Sequence, residues 1–137
     1  MRNYLQGILD AYAVFGMPPS ELSYDYQIFE LEKSEKVEEF LLKSGYTFSH
    51  AEKIEESYFK EKVRGWLFSG SLGKMHFDSQ RKEAKFNIFY DAFILMAEPD
   101  SFNKCILKEN GFIGVMYDFF LIEGKEKNSI LYFVSSD

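Results

Sequence analysis

The chain has 137 residues, of which 46% are hydrophobic and 18% aromatic, and this composition predicts one globular domain over residues 1–137 rather than a disordered or fibrous protein. Its longest apolar run, residues 92–97, is far shorter than the roughly 18–20 residues that a bilayer crossing needs, so we expect no membrane contact. The single cysteine, Cys105, excludes an internal disulfide, and Gln6 and Asp10 interrupt the apolar start as a secretory signal would not. We therefore expect a cytoplasmic protein.

The formal net charge of −6 is distributed unevenly along the chain. Residues 1–61 carry twelve acidic and six basic side chains, whereas residues 62–137 carry ten of each. Phosphate contacts need a basic surface, and neither half of the chain has a basic excess, so we expect no binding to nucleic acid. The excess of carboxylates in the N-terminal half instead favours a cationic partner.

Apolar spacing predicts three helices in the N-terminal half. Residues 3–16 place apolar side chains three or four positions apart, and residues 34–45 repeat that spacing before a glycine. The sequence SHAE at 49–52 is typical of a capping box and predicts a third helix from there to about Arg64. Residues 24–31 alternate like a strand but also hold a helical spacing, so the sequence leaves strand and helical turn open.

The apolar period shortens to two in the C-terminal half. Residues 75–77 and 84–91 alternate apolar and polar side chains around a polar turn, which predicts a hairpin with one solvated face. Residues 112–123 and 129–136 predict a second hairpin around the turn GKEKN, and residues 99–111 predict a short helix between the two hairpins. The expected architecture is α+β, with N-terminal helices packed on a C-terminal antiparallel β-sheet.

Few residues suggest catalysis or metal binding. One cysteine and two histidines, His50 and His76, do not form a paired ligand motif, and the helical apolar spacing around Cys105 predicts a buried, inert thiol. An alternative hypothesis places an enzymatic or ligand-binding site on the strand face that would join His76, Asp78 and Asp91, but the lysines predicted on that face are typical of a solvated surface. We expect no catalytic residue, no metal and no cofactor.

The acidity is most concentrated in residues 30–40, ELEKSEKVEEF, where five carboxylates surround two lysines. Helical pairs such as Glu32 with Lys36 explain part of this pattern as the solvated side of a helix. Tyrosines interleave with the carboxylates, and rings beside carboxylates provide the contact area and charge that bind Lys and Arg. The predicted partner-binding residues are Tyr24, Tyr26, Glu30, Glu32, Glu35, Glu38, Glu39, Glu52, Glu55 and Glu56.

The segments YDYQIFELEKSEKVEEF and YTFSHAEKIEESYF, in a small, acidic, cysteine-poor chain, resemble the immunity proteins of bacterial toxin systems, including contact-dependent growth inhibition and polymorphic toxins. The resemblance covers less than a third of the chain and matches no family motif. It implies a non-catalytic inhibitor that binds a cognate, basic, nuclease-like toxin domain. A third hypothesis is a structural subunit that self-associates through an exposed edge of the C-terminal strands, and the oligomeric state is left open.

Overall fold

The computed structural model of the chain describes residues 1–16, 23–68, 79–108 and 116–136. Within these ranges the chain forms four helices and five strands. The helices are α1 (Arg2–Gly16), α2 (Val37–Lys43), α3 (Glu56–Phe68) and α4 (Ser79–Ala97). The strands are β1 (Ser23–Glu32), β2 (Phe48–Ile54), β3 (Pro99–Leu107), β4 (Met116–Gly124) and β5 (Lys127–Ser136).

The five strands form one sheet in the order β1-β5-β4-β3-β2, and every neighbouring pair is antiparallel. Strand β5 therefore lies between β1 and β4, while β1 and β2 are the two edges. The predicted α+β class is confirmed, with helices packed on an antiparallel sheet. The sheet also takes β1 and β2 from the N-terminal half, where the apolar spacing predicts mainly helices.

Helices α1, α3 and α4 pack on one face of the sheet, named here the helix face. Phe59 of α3 lies near its centre, with its ring centroid 5.0 Å from that of Phe120 on β4 and 5.6 Å from that of Phe93 on α4. Aromatic burial on this scale dominates the stability of a small core. The fully buried side chains of this face include Leu5, Leu9, Ile28, Val63, Phe86, Phe89, Ile122, Leu131 and Phe133.

A smaller apolar cluster covers the opposite face, named here the outer face. Leu41 of α2 is fully buried there, and the ring of Phe40 lies 4.9 Å from that of Phe29 on β1. Tyr46, which follows α2, packs with its ring 4.7 Å from that of Phe119 on β4. One side of α2 is thus anchored on the sheet, and Glu38 and Glu39 on its other side remain exposed.

The predictions for α1, α2 and the second hairpin are confirmed, and residues 24–31 belong to strand β1. The predicted capping box is wrong, because residues 49–52 lie in β2 and helix α3 begins only at Glu56. Neither polar side chain of the motif caps a helix. Ser49 Oγ lies 3.0 Å from His50 Nδ1, and Glu52 Oε1 lies 3.1 Å from His50 Nε2 on the same exposed strand.

Two predictions for the C-terminal half are also wrong. Residues 84–91, expected as a strand, are part of helix α4, whose buried residues Phe86, Phe89 and Phe93 recur at helical spacing. The partner strand expected at 75–77 lies outside the described residues. The segment expected as a short helix forms strand β3 as far as Leu107, with the rest of that segment after Lys108 outside the described residues.

Candidate protein-docking surface

The antiparallel topology gathers charged residues at one end of the sheet. Glu32 at the end of β1 lies opposite Lys127 at the start of β5, and Glu123 near the end of β4 lies opposite Asn128. On the other side of the sheet, Ile54 at the end of β2 lies opposite Phe102 near the start of β3. We name this end the acidic rim and define it by residues 30–35, 53–56, 98–101 and 123–128.

The acidic rim holds nine carboxylates and four lysines, which gives a net charge of −5. Neighbouring strands are about 4.8 Å apart, so the rim extends for roughly 19 Å from edge to edge of the sheet. Its charge comes from both halves of the chain. At the opposite end of the sheet, Ser23 at the start of β1 lies opposite Ser136 at the end of β5.

Side-chain contacts hold part of the rim in place. Lys127 Nζ lies 3.5 Å from Glu30 Oε2 and 3.7 Å from Glu32 Oε1, so a single lysine interacts with two carboxylates. Glu35 Oε1 accepts the backbone N–H of Glu32 at 3.1 Å and closes the turn after β1. Lys33 Nζ donates to Asn128 Oδ1 at 2.9 Å, which ties that turn to β5.

A tight junction supports the centre of the rim. Glu98, between α4 and β3, has a positive φ of 43°, which is uncommon for a residue other than glycine. Its carbonyl oxygen accepts the backbone N–H of Lys125 at 3.2 Å, so the end of α4 is bonded to the β4–β5 turn. A Cβ at Gly124 would collide with the carbonyl oxygens of Ala97 and Lys127. The backbone that carries Glu98, Glu123 and their neighbours is therefore closely packed.

Most of the predicted partner-binding glutamates lie in or beside this rim. Glu30, Glu32, Glu35, Glu55 and Glu56 belong to it and are exposed. The Glu56 carboxylate also accepts the Tyr90 hydroxyl at 2.7 Å, which fixes the start of α3 against α4. Glu38 and Glu39 are exposed in the first turn of α2, on the outer face.

The other three predicted residues lie elsewhere. Tyr26 is 1% exposed and its hydroxyl donates to the carbonyl oxygen of Trp66 at 2.8 Å, so it belongs to the core and not to a docking surface. Tyr24 is half-buried, with its ring 6.4 Å from that of Trp66, at the end of β1 away from the rim. Glu52 is exposed on β2, the edge opposite β1.

Four rim carboxylates were missed by sequence reasoning: Glu98, Asp100, Glu123 and Glu126 are all exposed at the rim. They lie in the half of the chain whose charges balance, so the local charge gives no signal there. Only the strand register brings them beside the acidic end of β1.

The residues of the enzymatic hypothesis do not form the expected strand face. Asp91 is exposed on helix α4, and His76 and Asp78 lie outside the described residues. Cys105 is 2% exposed, as predicted, and burial raises the pKa of its thiol to about 12. Within the described ranges, no three His, Cys, Asp or Glu side chains are grouped to hold a metal ion. None of the helices described here is both long and apolar enough to span a membrane.

Comparisons with known proteins bear on the fold. No protein-family model matches the chain, and no curated protein matches it in sequence. Among solved structures, a crystal structure of citrus MAF1 superimposes with a TM-score of 0.59 and 10% sequence identity. The match covers 94% of this chain and 98% of the MAF1 chain. The two proteins are similar in fold over almost their whole lengths, and at this identity the likeness concerns the fold alone.

Proposed function

We propose that the protein is a non-catalytic, protein-binding inhibitor: an immunity protein that neutralises a cognate cationic bacterial toxin. The observation that supports this proposal is the acidic rim, where nine carboxylates and only four lysines lie at one end of the sheet. A nuclease-like toxin binds a polyanionic substrate through a basic surface. A protein that offers carboxylates to that surface would compete with the substrate.

The physical properties of the rim suit this role. Exposed carboxylates form charge-assisted hydrogen bonds to Lys and Arg, and a local net charge of −5 attracts a cationic protein from solution. The hydrogen bond from Lys125 to Glu98 and the bond that closes the turn at Glu35 hold the backbone of the rim before binding. Less conformational entropy is then lost when the partner docks.

Helix α2 adds apolar contact area beside the rim. Leu42 is 64% exposed, and it follows Glu38 by four residues and Glu39 by three, so the three side chains share one surface of the helix. An exposed leucine next to two carboxylates can cover the aliphatic part of a bound Lys or Arg side chain. The apolar side of α2 stays on the sheet throughout.

The test begins with the reading frame immediately upstream of the gene. Its C-terminal domain would be expressed in a bacterial host with and without this protein, and growth would be followed. We expect the domain alone to stop growth, the pair to restore it, and the two proteins to elute together in size-exclusion chromatography. A harmless upstream product, or growth arrest that this protein does not relieve, would contradict the proposal.

A further inference from the structure

The two edges of the sheet differ in whether another part of the chain is bonded to their outer side. At the β1 edge, Gln6 of α1 donates from Nε2 to the carbonyl oxygen of Tyr26 at 2.8 Å and accepts the N–H of Ile28 at 2.9 Å through Oε1. At the β2 edge, the described residues provide no second neighbour, since β2 pairs with β3 alone. Five consecutive residues of β2, from Ser49 to Lys53, are exposed. An open edge of this kind is a template for another strand.

We propose that the β2 edge pairs with the β2 edge of a second copy of the chain, antiparallel, about a twofold axis that passes through Ala51. The two five-stranded sheets then continue as one sheet of ten strands across the dimer. A twofold interface of this kind requires that the edge be complementary to itself. The side chains of β2 meet that requirement in one register.

The alternation along β2 decides which side chains face each other. Ile54 packs in the core of the helix face, so Glu52 and His50, two and four residues before it, also point to that side of the sheet. With the axis at Ala51, His50 lies opposite the partner's Glu52, and Glu52 lies opposite the partner's His50. Ser49 lies opposite the partner's Lys53 on the outer face. No like charges meet in this register.

The neighbouring registers are less favourable. An axis at Glu52 would put the two Glu52 carboxylates directly opposite each other, and like charges at such positions destabilise a sheet. An axis at His50 would put the two imidazoles opposite each other and leave both Glu52 side chains without a histidine opposite them across the interface. Within one chain, His50 and Glu52 already interact at 3.1 Å. In the register through Ala51, two such pairs form one alternating row.

The strength of this dimer is limited by the length of the open edge. A β-bulge interrupts the strand between Phe48 and His50, and α3 begins at Glu56. Only a short segment is left to pair, so the interface falls below the roughly 1,000 Å² of stable complexes and the dimer is weak and reversible. Antiparallel pairing also places the two acidic rims at opposite ends of the joined sheet. Apart from Lys53, which pairs across the interface, each copy therefore keeps its rim free for a partner.

Sedimentation velocity of the full chain, from about 10 µM to about 1 mM, tests the association and its register. We expect the average mass of the wild type to rise towards that of a dimer with concentration. His50→Glu puts carboxylates opposite each other and should weaken association at least about tenfold. The double variant His50→Glu/Glu52→His restores the reciprocal pair and should recover it. A wild type that stays monomeric, or a His50→Glu variant that associates as well as the wild type, would overturn the proposal.

A disulfide cross-link tests the position of the axis independently. Because Ala51 lies opposite the native Cys105 within one chain, the cysteine variants are made in a Cys105→Ala background. Residues opposite each other across an antiparallel pair are about 4.5–5.5 Å apart at Cα, within disulfide range. Ala51→Cys should form a covalent dimer under mild oxidation much faster than Lys53→Cys, whose opposite residue is Ser49. Equal rates for two folded variants would place the axis elsewhere and refute the register.

Discussion

The side-chain oxygen of Gln6 accepts the backbone N–H of Ile28 at 2.9 Å, so a helical side chain occupies the place that a sixth strand would take. A glutamine amide has a donor and an acceptor side by side, as a peptide group does. Through its nitrogen, the same amide donates to the carbonyl oxygen of Tyr26. Helix α1 thereby completes the ladder of β1 at the edge of the sheet.

Replacing Gln6 by Leu should reduce the free energy of unfolding by about 1–3 kcal/mol, because the Ile28 N–H and the Tyr26 carbonyl would lose their partner beside α1. Urea denaturation measures the change. Asp10→Asn is the matched control, since Asp10 also accepts from Gln6 Nε2 but in an exposed position. It should cost less than about 0.5 kcal/mol. Equal stability of Gln6→Leu and the wild type would show that the edge does not need this side chain.

Two glycines should respond to alanine in opposite directions. Gly124→Ala should destabilise the protein by at least about 2 kcal/mol, because its Cβ would collide with the backbone oxygens of Ala97 and Lys127, which cannot move independently of the sheet and α4. Gly65→Ala on α3 meets nothing within 4 Å and should stabilise the helix by about 0.5–1 kcal/mol. Thermal unfolding of both variants measures the shifts. A destabilised Gly65→Ala or a neutral Gly124→Ala would contradict this packing.

The protein should lose stability at alkaline pH. Burial raises the pKa of Tyr26, Tyr90 and Tyr132, and for Tyr90 the hydrogen bond to the Glu56 carboxylate adds to the effect. Above the ordinary tyrosine pKa of about 10, the unfolded chain loses protons that the folded chain keeps, so stability falls as pH rises. The slope should approach about 1.4 kcal/mol per pH unit for each such tyrosine.

Urea denaturation between about pH 8 and pH 12 measures this slope, and ultraviolet absorbance follows tyrosinate formation in the folded protein. In the same range the raised pKa of Cys105, about 12, contributes in the same direction from about pH 9. Tyr90→Phe removes one of the protons that only the folded chain keeps, so the loss of stability per pH unit should be smaller by about 1.4 kcal/mol. Below about pH 9 the dependence of stability on pH should not change. Stability that stays constant up to pH 12 would mean that these hydroxyls ionise freely in the fold.

If the proposed function is correct, charge reversal in the rim should slow association with the proposed toxin domain. Asp100→Lys/Glu126→Lys changes the rim charge by four units, and Asp25→Lys/Asp91→Lys makes the same change at exposed sites outside the rim. We expect the first variant to lower the association rate at least about tenfold and the second by less than about threefold. Stopped-flow measurements in low and high salt compare them. The difference should shrink as salt shortens the screening length below about 8 Å.

If both variants lower the rate equally, net charge and not the rim governs the encounter. Circular dichroism and urea denaturation verify that both variants keep their fold, as expected for exposed side chains.

The two helices predicted correctly from sequence, α1 and α2, each have one clearly buried side. Helix α1 buries Leu5, Leu9 and Ala13 in a single row, and that row is visible as a period in the sequence. Strand β2 has no such row, because Ser49 to Lys53 are exposed on both faces. Without a buried side, no apolar alternation marks the strand. The SHAE motif was then the strongest local signal, and it was misleading.

Helix α4 and strand β3 were predicted wrongly for two different reasons. In α4 a period of two is present by chance at Phe86, Ile88 and Tyr90, yet Ile88 is 59% exposed. The helical spacing of Phe86, Phe89 and Phe93 is equally visible in the sequence, and it indicates the correct secondary structure. In β3, Cys105 is buried on the outer face, while half-buried Phe102 packs on the helix face. Apolar residues on both sides of β3 remove the alternation, and Asn103 and Lys104 interrupt the continuous apolar run that marks a strand such as β5.

The residues of the acidic rim were predicted in part. Glu30, Glu32 and Glu35 were found because they lie close together in one acidic segment. Asp100 and Glu126 were not, since their proximity to that segment depends on the order of the strands. Tyr26 was assigned wrongly because composition cannot distinguish a tyrosine whose ring is buried from one that faces solvent.

Strand β5 lies between β1 and β4 although it follows all other strands in the chain. During synthesis on the ribosome, β1 is the first strand to emerge. Its pairing partner β5 is made much later, since Ser23 pairs with Ser136, more than a hundred residues further along the chain. Strand β1 on one side and strands β2, β3 and β4 on the other can join into one sheet only when β5 inserts between β1 and β4. Contacts of such large sequence separation slow folding, because the loop must close before any bond is gained. Until then the Tyr26 and Ile28 side chains of β1 lack the rest of the sheet, and α1, whose Gln6 bonds to the backbone of both residues, can cover them from the start, before Trp66 of α3 is synthesised.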